Sequence, residues 1–92
     1  MSDNLYYFKS TLGEWVIGEL KEDNEDHFIL GKPRVVVYGP TEKQGEYVTH
    51  YVPYDITNPD GDMGFHPDFV AAQVISINDQ IVDGYRRATT GL

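Results

Sequence analysis

Apolar and polar residues alternate along most of this chain with a period of two, the spacing of a strand with one face buried. Leu5, Tyr7 and Lys9 fall on one side of a first segment, Leu5 to Ser10, and Tyr6, Phe8 and Ser10 on the other. Thr11-Leu12-Gly13-Glu14 is a short turn signal, and from Trp15 to Lys21 the alternation resumes, with Val16, Gly18 and Leu20 opposite Trp15, Ile17 and Glu19. These two segments predict a β-hairpin. A polar turn, Asp23-Asn24-Glu25-Asp26, leads into a third strand from His27 to Leu30. Gly31-Lys32-Pro33 breaks its apolar character before Arg34-Val35-Val36-Val37-Tyr38. Proline donates nothing to a ladder, so the break predicts a bulge or bend between two strand segments.

After a polar loop from Gly39 to Gly45, the strand pattern returns from Glu46 to Tyr54. Asp55 to Pro67 holds Asn58-Pro59, Asp60-Gly61 and Asp62-Met63-Gly64 and predicts the longest irregular stretch. Phe69 to Ile77 is apolar on both faces except for Gln73 and Ser76, which suits a strand buried on both sides or paired with another subunit. The period then changes. Asn78 or Asp79 can cap a helix that puts Ile81, Val82 and Tyr85 on one face, with Asp83 four residues before Arg87. The pattern as a whole predicts one mainly β, antiparallel domain with a short C-terminal helix.

Ninety-two residues leave no room for a second core. With no cysteine, disulfides, thiolate metal sites and a thiol nucleophile are all excluded. Seven Lys and Arg against fifteen Asp and Glu give a net charge of −8, which disfavours non-specific contact with phosphate backbones and anionic lipid. No apolar run approaches the ~18 residues of a membrane span, and Met1-Ser2-Asp3-Asn4 does not open a signal peptide. A cytoplasmic location is the expectation.

Candidate chemistry is sparse. His27, His50 and His66 have no nucleophile motif around them, so no catalytic residue is expected. Asn58-Pro59-Asp60-Gly61-Asp62-Met63-Gly64 places side-chain oxygens at alternate positions, as a calcium loop does. Met63, however, stands where the turn glycine belongs and Phe69 where the bidentate Glu belongs, so neither a metal nor a cofactor is expected. The tyrosines at 6, 7, 38, 47, 51 and 54, with Phe8 and Trp15, would serve either as a stacking platform for bases or as core and intersubunit packing. Phe69 to Ile77, with no proline and no charge after Asp68, would be an aggregation template if left as a free edge. Pairing with a neighbouring copy removes that hazard, and Val70, Ala72, Val74 and Ser76 are the expected interface residues.

Gly13-Glu14-Trp15-Val16-Ile17-Gly18-Glu19-Leu20, then an acidic turn and His27-Phe28-Ile29-Leu30, resembles the first motif of the Sm-like proteins. Gly13, Gly18 and Leu20 match that motif in spacing, and the second glycine lets a strand bend sharply enough to close a small barrel. Gly31-Lys32-Pro33 and Val52-Pro53-Tyr54 are similar to elements of small Sm-like proteins of tailed phages. The resemblance implies a strongly bent five-stranded barrel and a homo-oligomeric ring of about five to seven subunits. It also implies single-stranded RNA or a nucleoprotein as partner, with Asn24, His27, Phe28 and Asn78 at the RNA-contacting positions. The alternative is a protein-interaction or structural ring that binds no RNA. Two departures bear on that choice: Val74 to Asp79 lacks the family's Arg/Lys-Gly pair, and four residues before the first strand leave no space for the usual N-terminal helix. The C-terminal helix would take that helix's place.

Overall fold

A computed structural model describes residues 4–90. Among these residues six strands, β1 (Leu5–Ser10), β2 (Trp15–Asp23), β3 (Phe28–Pro40), β4 (Tyr47–Pro53), β5 (Asp62–Phe65) and β6 (Val70–Val74), precede one helix, α1 (Asp79–Thr90). All pairings are antiparallel, in the order β4-β3-β2-β1-β6, and β5 pairs with the first part of β3. The protein is thus a mainly β, antiparallel sheet with a short C-terminal helix, as the alternation predicts.

The sheet buries both faces. On one face Phe8, Val16, Phe28, Leu30 and Phe65 form a cluster with Tyr6, Leu20 and Phe69 packed around it. On the other, Tyr7, Ile17 and Val36 meet Tyr85 of α1. The split follows the parity read along β1 and β2, where odd and even residues go to opposite sides.

The interruption at Gly31-Lys32-Pro33 is a bulge. Ile17 pairs with Arg34 and Glu19 with Gly31, so Lys32 and Pro33 together oppose Gly18 alone. One extra residue reverses the facing of everything beyond it. Phe28 and Leu30 therefore point to the first cluster, whereas Val36 points to the second. Lys32 sits at φ +50°, an unusual conformation for a side-chain-bearing residue. Tyr85 holds it there: its buried hydroxyl lies 2.9 Å from the Lys32 carbonyl and 3.2 Å from that of Gly31. Opposite the bulge, a Cβ on Gly18 would stand 2.9 Å from Leu30 Cβ and 3.2 Å from the Gly31 carbonyl oxygen, so glycine permits the close approach of β2 and β3.

Two expectations change. Asp55 to Pro67 is not wholly irregular, because Asp62–Phe65 forms β5 and pairs with Phe28 to Gly31. Phe69 to Ile77 is not one long strand: Phe69 ends a 3-10 turn (Pro67–Phe69), β6 stops at Val74, and Asn78 caps α1. That turn joins β5, on β3, to β6, on β1, and Phe69 packs on Phe8 and Phe65 beside it. The curled sheet is closed by a chain connection rather than by a β5–β6 ladder.

Candidate functional site

The residues implied as RNA contacts are not gathered in one place. Asn24 lies in the β2–β3 turn, where its side-chain oxygen accepts from the His27 amide at 3.3 Å and its nitrogen donates to Glu22 at 2.8 Å. His27 is half-buried, and Phe28 lies inside the first cluster with its ring stacked on Phe65. Asn78 is in a different element and caps α1, its side-chain oxygen accepting from the Gln80 amide at 2.7 Å. Asp23, Glu25 and Asp26 add negative charge beside Asn24, which opposes a phosphate backbone.

The expected interface residues lie on or just beyond an edge strand. Among the described strands, β6 is paired only with β1 and β4 only with β3, so the two ends of the main sheet carry free edges. Val70 and Val74 are half-buried against the clusters, whereas Ala72 and Ser76 are exposed. Ile75, just past β6, is 81% exposed, and Val48 and Val52 of β4 are exposed as well.

Among the described residues, no three Asp, Glu, His or Cys side chains gather as a metal site would need. Asp60 instead meets Arg34, whose Nη2 lies 3.1 Å from Asp60 Oδ1 while Nη1 donates to the Pro59 carbonyl at 2.6 Å. The Arg34 side chain is only 6% exposed, so its charge is held by this carboxylate and by main-chain oxygens. The arginine thereby fastens the loop between β4 and β5 to β3. His27, His50 and His66 sit on separate elements, and His66 is occupied as the cap of the 3-10 turn, its Nδ1 accepting from the Asp68 amide.

Sequence reasoning missed a cleft of about 410 Å³ between the second-cluster face of the sheet and the start of α1. Tyr7, Tyr38 and Tyr51, from β1, β3 and β4, contribute their phenols to it. Thr49, Ser76, Asn78 and Gln80 bring hydroxyls and carboxamides, and Val74 and Ile81 bring hydrocarbon. Burial, with the neighbouring Tyr38 and Tyr51 phenols, pushes Tyr7 up to about 12. Burial and Tyr38 also raise Tyr51. The Tyr51 hydroxyl donates to the Ile81 carbonyl at 3.2 Å. It comes this close because residue 84 is glycine: a Cβ there would stand 2.5 Å from the hydroxyl oxygen. The tyrosines were visible in sequence, but their meeting depends on strand register and on the reversal at the bulge.

No protein-family model matches this chain, and no curated protein matches it significantly.

Proposed function

We propose that this protein is a non-catalytic, ring-forming protein of the Sm-like kind that acts in the cytoplasm as a protein-binding or structural ring. In this reading the β4 edge of one copy pairs with the β6 edge of the next. The observation that carries it is the pair of free antiparallel edges at the two ends of one curled sheet, with exposed Val48, Val52 and Ile75 at or beside them. Unlike edges that pair head to tail form a heterologous contact, which closes into a ring when the rotation permits. The acidic β2–β3 turn and the burial of Phe28 favour the protein-binding ring over the RNA-binding one.

Light scattering at micromolar concentration and moderate salt tests assembly. The expected mass is several times the 10.5 kDa of one chain, and Val48→Lys or Ile75→Lys should lower it while leaving the circular dichroism melt in place. A single-chain mass for the unmodified protein defeats the ring. A titration on uridine- and adenine-rich RNA separates the two ring functions. Retention that falls with log salt would restore the RNA reading, because phosphate contacts release counterions.

A further inference from the structure

We propose that the cleft floored by Tyr7, Tyr38 and Tyr51 is a binding site for a neutral saccharide of one or two sugar rings. This goes beyond the ring assembly and does not depend on it, since every contributing residue comes from one chain.

Charge selects the ligand first. Charged residues make up 24% of the chain, yet none of the residues lining this cleft is Asp, Glu, Lys, Arg or His. An ionic ligand would lose hydration there with no counter-charge to replace it. Anions such as nucleotides or sugar phosphates would also approach against a net charge of −8. The Tyr7 and Tyr51 phenols stay protonated and uncharged near neutral pH, as their upward shifts require.

Hydrogen-bonding character selects next. The polar side chains of the cleft are hydroxyls and carboxamides, and each of these groups both donates and accepts. Sugar hydroxyls have the same dual character, so several pairings are available at every position around a ring. Two of the cleft's groups are already oriented. Asn78 has its oxygen committed to the Gln80 amide, which leaves its NH₂ to donate. Tyr51 has its proton committed to the Ile81 carbonyl, which leaves its oxygen to accept. These internal bonds fix both side chains before any ligand arrives, which lowers the ordering cost of binding.

Shape completes the argument. Tyr38 is 57% exposed and offers a flat aromatic surface on which the C–H face of a pyranose can lie. The volume of about 410 Å³ falls at the low end of the ~300–1,000 Å³ typical of small-molecule sites, enough for a disaccharide.

The test is saturation-transfer NMR on the full chain with maltose, cellobiose, lactose and diacetylchitobiose, and with adenosine as a neutral ring of different hydrogen-bonding character. At least one disaccharide should receive saturation, and its dissociation constant should be unchanged within about twofold when salt is raised from roughly 50 to 500 mM, as expected without ionic contacts. Tyr38→Ala and Gln80→Ala should each weaken that binding about fivefold or more, roughly one lost stacking or hydrogen-bonding contact, with the thermal melt unchanged. No transfer to any of the four disaccharides, transfer that survives Tyr38→Ala, or tighter binding of adenosine would each overturn the proposal. Because every lining residue comes from one chain, failure of sugar binding leaves the assembly reading standing, and a single-chain mass in light scattering leaves this proposal standing.

Discussion

The two faces of the sheet bury aromatic residues by different means. On the first, Phe8, Phe28, Phe65 and Phe69 pack edge-on or stacked, with ring centroids 5.6–6.1 Å apart. No hydrogen bond is needed there, so the side chains fill the space. On the second, the aromatics are mostly tyrosines, and each buried hydroxyl demands a partner. Tyr85 finds the carbonyls of the β3 bulge, and Tyr51 finds the Ile81 carbonyl in the first turn of α1. Directional bonds of this kind place the helix in one position but do not fill the space around it, and the cleft is the remainder. A hydrocarbon cluster supplies stability, whereas a phenol cluster supplies position.

Deleting a ring from the hydrocarbon side should have the largest effect. Phe8→Ala removes a fully buried ring in contact with three other phenylalanines and should cost about 3–5 kcal/mol by denaturant unfolding. A loss below about 1 kcal/mol would mean that this cluster is not the core. Gly18→Val comes next, at about 1–3 kcal/mol, because its side chain would be driven into Leu30 and the Gly31 carbonyl. Gly18→Ala, which adds the Cβ alone, should cost less than Gly18→Val, and unchanged melts for both variants would contradict the close approach at the bulge.

On the phenol side Tyr85→Phe should cost about 1–2 kcal/mol, since it keeps the ring and leaves two carbonyls short of a donor. The same face should respond to alkali. Burial raises the Tyr7 and Tyr85 phenols above the ordinary value of 10.0, Tyr7 to about 12. The stability these groups add is therefore complete below pH 10 and is lost as pH rises toward and past 12. Denaturant melts should be flat with respect to these groups from pH 7 to 9 and fall above about pH 10, less steeply in Tyr85→Phe. An equal fall in the variant would assign the alkaline loss to other residues.

Much of the first face could be read in the chain itself. The parity of β1 and β2 sorts Phe8 and Val16 from Tyr7 and Ile17 with no long-range information, and proline after Gly31-Lys32 marks the bulge. β5 leaves no local signal because it is four residues long, contains glycine and aspartate, and buries fully only Phe65. Its existence depends on β3 being long enough to serve two partners in succession, which no local pattern reports. The apolar pattern overstates β6 for a related reason: a cap on α1 at Asn78 needs its own turn, and that takes Ile75 to Ile77 out of the strand. The cleft is the least legible feature of all. Tyr7, Tyr38 and Tyr51 lie far apart in sequence, and only the pairings of β1, β3 and β4 through the central sheet bring them to one face.

The pairing of β1 with β6 sets Tyr7 beside Val74, so β1 waits for a strand that follows it by more than sixty residues. Strands β1 to β4 are neighbours in both sequence and space, and such a meander closes only short loops as it forms. On a ribosome that meander can emerge and pair while β6 and α1 are still inside the exit tunnel. Until they emerge, β1 has an open side and the tyrosine face has no helix over it. Synthesis of β6 and α1 is then the step at which the nascent sheet is sealed, and a stop codon before Tyr85 would strand it in the unsealed form.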